Sequence, residues 1–210
     1  MIDHAEDLPT TLEICQIAFE SLLEILGPED LNSILLSSSM PVKLDEENVN
    51  VLADLDRKNW AQLHRVLQAQ FGIRGTAGIA IHTGQAIFKN FFRGFGSATL
   101  LDDREYRMMP KPTRIRKGLE TLAELQEKYV SGSHIIIEHD QENWYWKLEP
   151  LNGWSEYPQI QDLLTKVVWG MVLEFLSWTG GGKIYPVHET TWADPDVKER
   201  VIVIRKKYVD

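Results

Sequence analysis

The sequence has a single cysteine, Cys15, among its 210 residues. One cysteine cannot form an internal disulfide, and it cannot build a zinc site from several thiolates. Cations are also scarce, since 22 Lys and Arg stand against 31 Asp and Glu, for a formal charge of −9. Because nucleic-acid binding needs clustered cations against the phosphates, this balance argues against a nucleic acid as the main partner.

Long hydrophobic runs are missing as well. The most apolar stretch, residues 167–178, contains Glu174 and is shorter than the roughly 20 residues that span a bilayer. The first residues are acidic and have no apolar core of the kind found in signal peptides. We therefore expect a cytoplasmic protein without a transmembrane segment, for which peripheral contact with a membrane stays open.

What is present is the composition of a folded domain. Hydrophobic residues make up 43% of the chain and charged residues 25%, close to the average of globular proteins. Length fits one domain with a small N-terminal appendage. We predict a helical segment over residues 1–58 and an α+β domain over residues 59–210, together forming one continuous globular unit.

The order of predicted elements gives the fold class. Helical spacing of apolar residues marks residues 9–26, 29–36, 60–71 and 113–129. The C-terminal third instead predicts strands over 134–139 and 144–148, a long helix over 158–178, and strands over 183–191 and 199–207. Hairpins, and not helical crossovers, join these strands. The order predicts an α+β fold with N-terminal helices packed on a small antiparallel sheet.

A glycine-rich helix is predicted over residues 75–96. Five glycines interrupt an apolar pattern that keeps a helical period, and each costs about 1 kcal/mol in a helix interior relative to Ala. Close packing against another helix is one explanation, and the residues alone favour it. The other is an apolar pocket in which the glycines make room for a ligand.

A basic segment and a group of tryptophans also stand out. Residues 104–117 are rich in Arg and Lys in an otherwise acidic chain, so they form either solvated surface or a site for a carboxylate or phosphate. The candidate anion-binding residues are Arg104, Arg107, Arg114 and Arg116. Six of the seven tryptophans lie in the C-terminal third, where they either pack the core or line a site for a flat ligand.

The C-terminal third resembles the 4-vinyl reductase domain, whose members are also called hydrocarbon-binding proteins. The similar residues are 173–183, a helix end with Gly180, Gly181 and Gly182, followed by the strand 187–191 with its Glu-Thr pair. Residues 75–79 and 84–88 resemble the glycine-bearing helix of that family. The resemblance spans residues 60–207.

The resemblance implies a fold shared with tethering-complex subunits of the TRAPP type, a homodimer, and an internal apolar cavity for a hydrophobic molecule. Such a molecule would be a lipid, an aromatic compound or a tetrapyrrole, and no other cofactor is implied. The helix over 76–96, the helix over 158–178 and the sheet would enclose the cavity. The candidate ligand-binding residues are Ile79, His82, Ala86, Phe88, Phe91, Phe92, Val167, Met171, Phe175 and Trp178.

The sequence departs from that family at its metal site. Many relatives carry cysteines at this site, and some of these bind zinc, whereas here Trp192 stands at the Glu-Thr-x-Cys position. We therefore predict no metal site. His139 and His188 each follow or precede a glutamate, but adjacent strand residues point to opposite faces. For His82, a hydrogen-bonded core role and an axial-ligand role both stay open.

Three functions remain from these features. The first is non-catalytic binding of a hydrophobic small molecule, which the sequence favours because it shows no phosphate loop, dinucleotide fingerprint or Ser-His-Asp motif. The second is reduction of a vinyl group on a chlorophyll precursor, or an accessory role in that pathway. The third is a scaffold, for example in photosystem assembly. We predict no catalytic residue.

Overall fold

The computed structural model describes residues 8–45, 48–52, 55–130, 132–149, 158–191 and 200–209. Helices and strands alternate in groups along the chain. The helices are α1 (Thr11–Ser38), α2 (Arg57–Phe95), α3 (Arg104–Met108), α4 (Lys111–Tyr129) and α5 (Pro158–Gly180). The strands are β1 (Val42–Asp45), β2 (Asn48–Val51), β3 (Ile135–His139), β4 (Asn143–Leu148), β5 (Val187–Thr191) and β6 (Arg200–Arg205). In this part of the chain, no helix combines the length and hydropathy needed to cross a bilayer.

These elements form two compact units. The helical unit contains residues 9–94 and the described part of 156–171, which are α1, the β1–β2 hairpin, α2 and the start of α5. The sheet unit contains the described residues of 95–155 and 172–210, which include α3, α4, the four remaining strands and the end of α5. The boundary that the sequence predicts at residues 58/59 falls at the start of α2, and that domain division stays a prediction.

The helical unit has an apolar core between α1, the hairpin and α2. Helix α1 starts with a capping box, in which the Thr10 side chain accepts from the Glu13 backbone and Glu13 accepts from the Thr10 backbone. Gly27 interrupts it with a φ of 77°, as the Gly-Pro pair predicts. Phe19 stacks on Trp60 with ring centroids 5.8 Å apart.

The sequence pattern predicts a loop over residues 37–41 and an irregular or helix-entry region from residue 45, whereas the structure has the β1–β2 hairpin here. Val42 pairs with Val51, and Leu44 with Val49. Gln16 of α1 fastens it, because its amide donates to the Val49 carbonyl and accepts from the Val51 backbone N–H at 3.2 Å. Four-residue strands give too little alternation to identify a hairpin whose register depends on a distant helix.

Helices α2 and α5 cross at two glycines within the helical unit. A Cβ added to Gly84 would overlap the Val167 carbonyl and lie 3.1 Å from the Cα of Gly170, and one added to Gly170 would overlap the Ile81 carbonyl. Backbone therefore meets backbone at this crossing, which is the packing explanation for Gly84. Before the crossing, Gly72 kinks α2 with a φ of 70°. The sequence pattern predicts the end of a helix at this point, after residue 71.

The sheet unit carries an antiparallel sheet of order β3-β4-β6-β5. Trp144, Trp146 and Leu148 alternate into the core from β4, and β6 is buried along most of its length. Near α4, a Cβ at Gly118 would overlap the ring of Phe175, so α5 packs closely there. The α+β class with antiparallel pairing is thereby confirmed. The predicted turn at 193–196 lies outside the described residues.

Replacing Gly84 with Ala tests the helix crossing. The added methyl meets a backbone carbonyl that cannot rotate away, and such overpacking costs about 1–3 kcal/mol or more. Gly78 lies in the same helix with nothing within 4 Å of an added Cβ, so Gly78→Ala should raise the free energy of unfolding by up to about 1 kcal/mol. Urea unfolding of both variants measures this, and equal stability of Gly84→Ala and the wild type would contradict the crossing.

Candidate functional site

The ten predicted ligand-binding residues divide between the two units. Those of α2 together with Val167 and Met171 lie in the helical unit, and Phe175 and Trp178 lie in the sheet unit. Phe88 stacks on Phe92 with centroids 6.0 Å apart, and Ala86, Phe88 and Phe91 are buried. Their role as ligand contacts stays a prediction.

His82, the histidine that the sequence singled out, is exposed on α2. Its Nδ1 shares a hydrogen bond with Gln85 Oε1 at 3.0 Å, one turn along the same helix. The ring faces solvent and is already hydrogen-bonded. The structure therefore places His82 neither in the core nor in a buried ligand site.

A different histidine of α2 is buried, and the sequence prediction missed it. His64 is 2% exposed, and its Nδ1 has no hydrogen-bond partner among the described residues. Burial lowers the pKa of this imidazole, and the nearby Asp162 carboxylate opposes that effect only in part. The ring is therefore neutral near pH 7, with a ring nitrogen unused inside the helical unit.

Three more buried polar atoms in the helical unit lack a hydrogen-bond partner among the described residues. They are Thr83 Oγ1 on α2, and Gln161 Nε2 and Trp169 Nε1 on α5. Gln161 and Trp169 are eight residues apart and so lie on one side of their helix. An unsatisfied buried polar group costs about 1–3 kcal/mol. The sheet unit also has three such atoms, Tyr106 Oη, Gln126 Oε1 and Trp146 Nε1, so unsatisfied atoms alone do not distinguish the helical unit as a ligand site.

The basic segment is largely occupied by contacts within the sheet unit. Arg114 donates to the Thr179 hydroxyl at 3.2 Å, to the Thr179 carbonyl at 2.9 Å, and to the Arg107 carbonyl at 3.0 Å. Arg107 pairs with Asp102, and Arg116 pairs with Glu120 at 2.8 Å. Arg104 is exposed. Arg114 therefore caps the carbonyl end of α5, where a cation is favoured.

Helix α5 ends against an aromatic group. Lys111 donates to the Gly180 carbonyl at 3.1 Å, and Trp178 stacks on Tyr106 with centroids 6.4 Å apart. Burial raises the pKa of the Tyr106 hydroxyl to about 12, although Thr179 and Arg114 act in the other direction. The phenol stays protonated at physiological pH, which makes it a structural group and not a base.

Acidic and histidine side chains of the sheet are spread apart. His139 and His188 are exposed, Glu138 pairs with Lys147 at 2.7 Å, and Glu189 pairs with Arg200 at 2.9 Å. Among the described residues, no group of three or more His, Cys, Asp or Glu side chains is placed to hold a metal ion.

No protein-family model and no curated protein sequence matches this chain. Solved structures do match. A point mutant of T. Tengcongensis H-NOX has a TM-score of 0.62 and 12% identity, over 96% of this chain and 100% of that one. An oxygen binding H-NOX domain related to soluble guanylate cyclases has a TM-score of 0.59 and 13% identity, over 96% and 97%.

This chain has the H-NOX fold. A third H-NOX protein, an Fe(II) unliganded mutant from K. algicida, agrees, with a TM-score of 0.57 and 12% identity over 93% of this chain and 96% of that one. TM-scores of 0.57 to 0.62 over 93–96% of this chain show a shared fold, and identities of 12–13% show nothing beyond the fold. This likeness concerns the fold, and it does not extend to what those proteins bind.

The H-NOX fold corrects the family prediction. The resemblance to the 4-vinyl reductase domain was wrong, and the chlorophyll-synthesis and photosynthesis roles that depended on it have no support, because the matching structures are H-NOX domains. The misleading signals have a local cause. Gly181 and Gly182 adopt φ angles of 67° and 79° where α5 ends, a conformation that favours glycine at any such helix end.

Arg114→Met should destabilise the sheet unit by about 1–3 kcal/mol, because it removes three charge-assisted hydrogen bonds and leaves the Thr179 carbonyl at the end of α5 uncapped. Arg104→Met removes an equal charge from an exposed position and should change the free energy of unfolding by less than about 0.5 kcal/mol. Chemical denaturation compares the two. Equal losses would show that total charge, and not the cap, determines stability.

His64 should make stability depend on pH. Its pKa in the fold lies below 6.5, so below that pH the unfolded chain binds a proton that the folded chain excludes. Stability should therefore fall with decreasing pH below about 6.5, with a slope of at most about 1.4 kcal/mol per unit from this residue. His64→Gln should flatten that part of the profile, whereas His82→Gln should keep it. Unchanged profiles in both variants would contradict the buried neutral imidazole.

Proposed function

We propose that this chain is a non-catalytic binding domain for a flat hydrophobic ligand of the tetrapyrrole class, with heme as the first candidate. Support comes from the H-NOX fold together with one observation on this chain, the buried neutral His64 with an unused ring nitrogen. Related structures are described in terms of heme distortion and porphyrin distortion. The homodimer predicted from the sequence stays a prediction.

A heme requires an axial side-chain ligand, most often His, Cys, Met or Tyr. The other described histidines, at positions 82, 134, 139 and 188, are exposed, and His134 pairs with Glu127 at 3.0 Å. His64 combines burial, the neutral form that binds metal, and an unused ring nitrogen. Its donor chemistry fits an iron ligand.

The environment of His64 supports the same assignment. Histidines that bind metal commonly have a carboxylate or carbonyl close to the ring, which orients it and raises its basicity. Asp162 lies close enough to raise the pKa of His64 against the effect of burial. We propose that Asp162 is the orienting group and that His64 holds the iron.

The polar groups of a tetrapyrrole need hydrogen-bond donors in addition to the iron ligand. Three of the four predicted arginines are engaged by Thr179, Asp102 or Glu120, so the basic segment is not a ready carboxylate site. Gln161 and Trp169 carry buried N–H groups without a partner among the described residues. We propose that such neutral donors of the helical unit, in place of arginines, bind the polar groups of the ligand.

A bound heme would supply an iron that takes a diatomic gas. The chain's own contribution would be to hold that iron through His64, to orient the imidazole and to keep water away by burial. The H-NOX fold and the buried neutral His64 support binding and sensing, and the sequence carries no Ser-His-Asp or phosphate-loop motif that would support turnover.

The experiment is a titration of the metal-free protein with hemin, followed by the Soret band. Wild type and His82→Ala should bind with the same affinity and the same spectrum. His64→Ala should lose at least tenfold in affinity or shift the Soret band, because the axial ligand is gone. His82→Ala is a matched control from the same helix.

A second titration uses metal-free protoporphyrin IX and a fluorescent fatty acid. Protoporphyrin should bind wild type and His64→Ala alike, since it needs the apolar site and no iron ligand. Absence of hemin binding, or a loss confined to His82→Ala, would contradict the assignment of His64. Binding of the fatty acid alone would overturn the tetrapyrrole class.

A further inference from the structure

A second feature lies in the sheet unit and is independent of the proposed ligand site. After α5, residues 183–185 run beside residues 205–209. Ile184 and Val209 form an isolated β-bridge, with the Val209 N–H donating to the Ile184 carbonyl at 2.9 Å. We call these two segments, together with Lys111, the basic tip.

The basic tip exposes apolar side chains. Ile184 is 64% exposed, Val209 51% and Tyr208 41%. Single exposed apolar residues are common on protein surfaces, but these three adjoin one another through the bridge and the chain. The rings of Tyr208 and Tyr185 pack edge to face, with centroids 6.0 Å apart. This contact holds the Tyr208 ring in one orientation.

The basic tip also has the opposite charge to the chain as a whole. It contains Lys111, Lys183, Arg205, Lys206 and Lys207, and its described residues include no acid, whereas the whole chain carries −9. Lys111 and Lys183 both place their Nζ 4.9 Å from the centroid of the Tyr208 ring. Asp210 follows, outside the described residues.

Two acidic residues border this surface at Lys206. One is Glu142, whose backbone carbonyl accepts from the Lys206 backbone N–H at 2.8 Å, and the other is Asp140. Lys206 donates to the Asp140 carbonyl, but the Asp140 carboxylate is already bonded to the Tyr145 hydroxyl at 2.5 Å and to two backbone N–H groups at 2.7 Å. These hydrogen bonds hold its pKa at about 2. Asp140 is therefore ionised at physiological pH and offsets part of the positive charge at Lys206, the cation beside it.

We propose that the basic tip docks the protein on the surface of an anionic lipid bilayer. Lysines attract an anionic leaflet, while exposed aliphatic residues and a tyrosine suit the interface between headgroups and acyl chains. Four of the five cations are lysines, a residue depleted at protein–protein interfaces, where arginine is enriched. This composition favours a membrane surface over an acidic protein.

The experiment is co-sedimentation of the full chain with vesicles of phosphatidylcholine containing about 30% phosphatidylserine, and with vesicles of phosphatidylcholine alone. Wild type should bind the anionic vesicles and not the neutral ones. Lys183→Glu/Lys207→Glu should reduce binding at least tenfold. Lys43→Glu/Lys58→Glu makes the same charge change at exposed positions of the helical unit and should bind like the wild type.

Ile184→Ser tests the apolar part and should weaken binding several-fold at constant charge. Absence of wild-type binding, equal binding to neutral vesicles, or an equal loss in both double-charge variants would each overturn the proposal. Sedimentation velocity without lipid measures the oligomeric state of the same variants. A dimer that dissociates in Lys183→Glu/Lys207→Glu, with no vesicle binding, would assign the tip to self-association instead.

Discussion

The arrangement of the helical unit depends on the contact between two backbones at Gly84 and Gly170. At that point α2 and α5 approach so closely that a single methyl group on either helix would overlap a carbonyl of the other. The kink at Gly72 then turns the first half of α2 away from the second half. Helix α5 contacts Gly84 through Gly170, near the middle of α5, and Asp162, nearer its start, lies close to His64.

This close crossing explains why the buried polar atoms are informative. Helices that meet backbone to backbone leave little room to adjust, so a polar side chain at their contact cannot easily rotate to find a partner. His64, Thr83, Gln161 and Trp169 nevertheless keep unsatisfied atoms inside the unit. An apolar residue at each position would remove this deficit at little loss of packing. The sheet unit has such atoms too, at Tyr106, Gln126 and Trp146, so the proposed ligand site depends on His64 together with the H-NOX fold.

Several parts of the structure could be predicted from the sequence, because they follow from local chemistry. Gly27-Pro28 and Gly72 mark the kinks, the β-branched run at Ile135–Ile137 marks a strand, and the hairpin order predicts the antiparallel sheet. The β1–β2 hairpin could not be predicted, since its strands are short and Gln16 holds them from a distant helix.

The site was harder to predict than the fold. His82 and His64 both lie in α2 among apolar residues, and only the three-dimensional packing decides that the first is exposed and the second buried. For the arginines of residues 104–117 the sequence left solvated surface and an anion site open. It could not predict that Arg114 binds Thr179 at the end of α5, because the two residues are 65 positions apart in the chain. Glycine turns at a helix end were mistaken for a family signature because many folds need them.

The most direct measurement of the central claim is a nitrogen-15 NMR spectrum of the imidazole rings, recorded before and after addition of zinc protoporphyrin IX as a diamagnetic probe. The account predicts that the ring-nitrogen signals of His64 move on binding, while those of His82, His134, His139 and His188 stay in place. Signals that move only at the exposed histidines, with His64 unchanged, would contradict a ligand site in the helical unit.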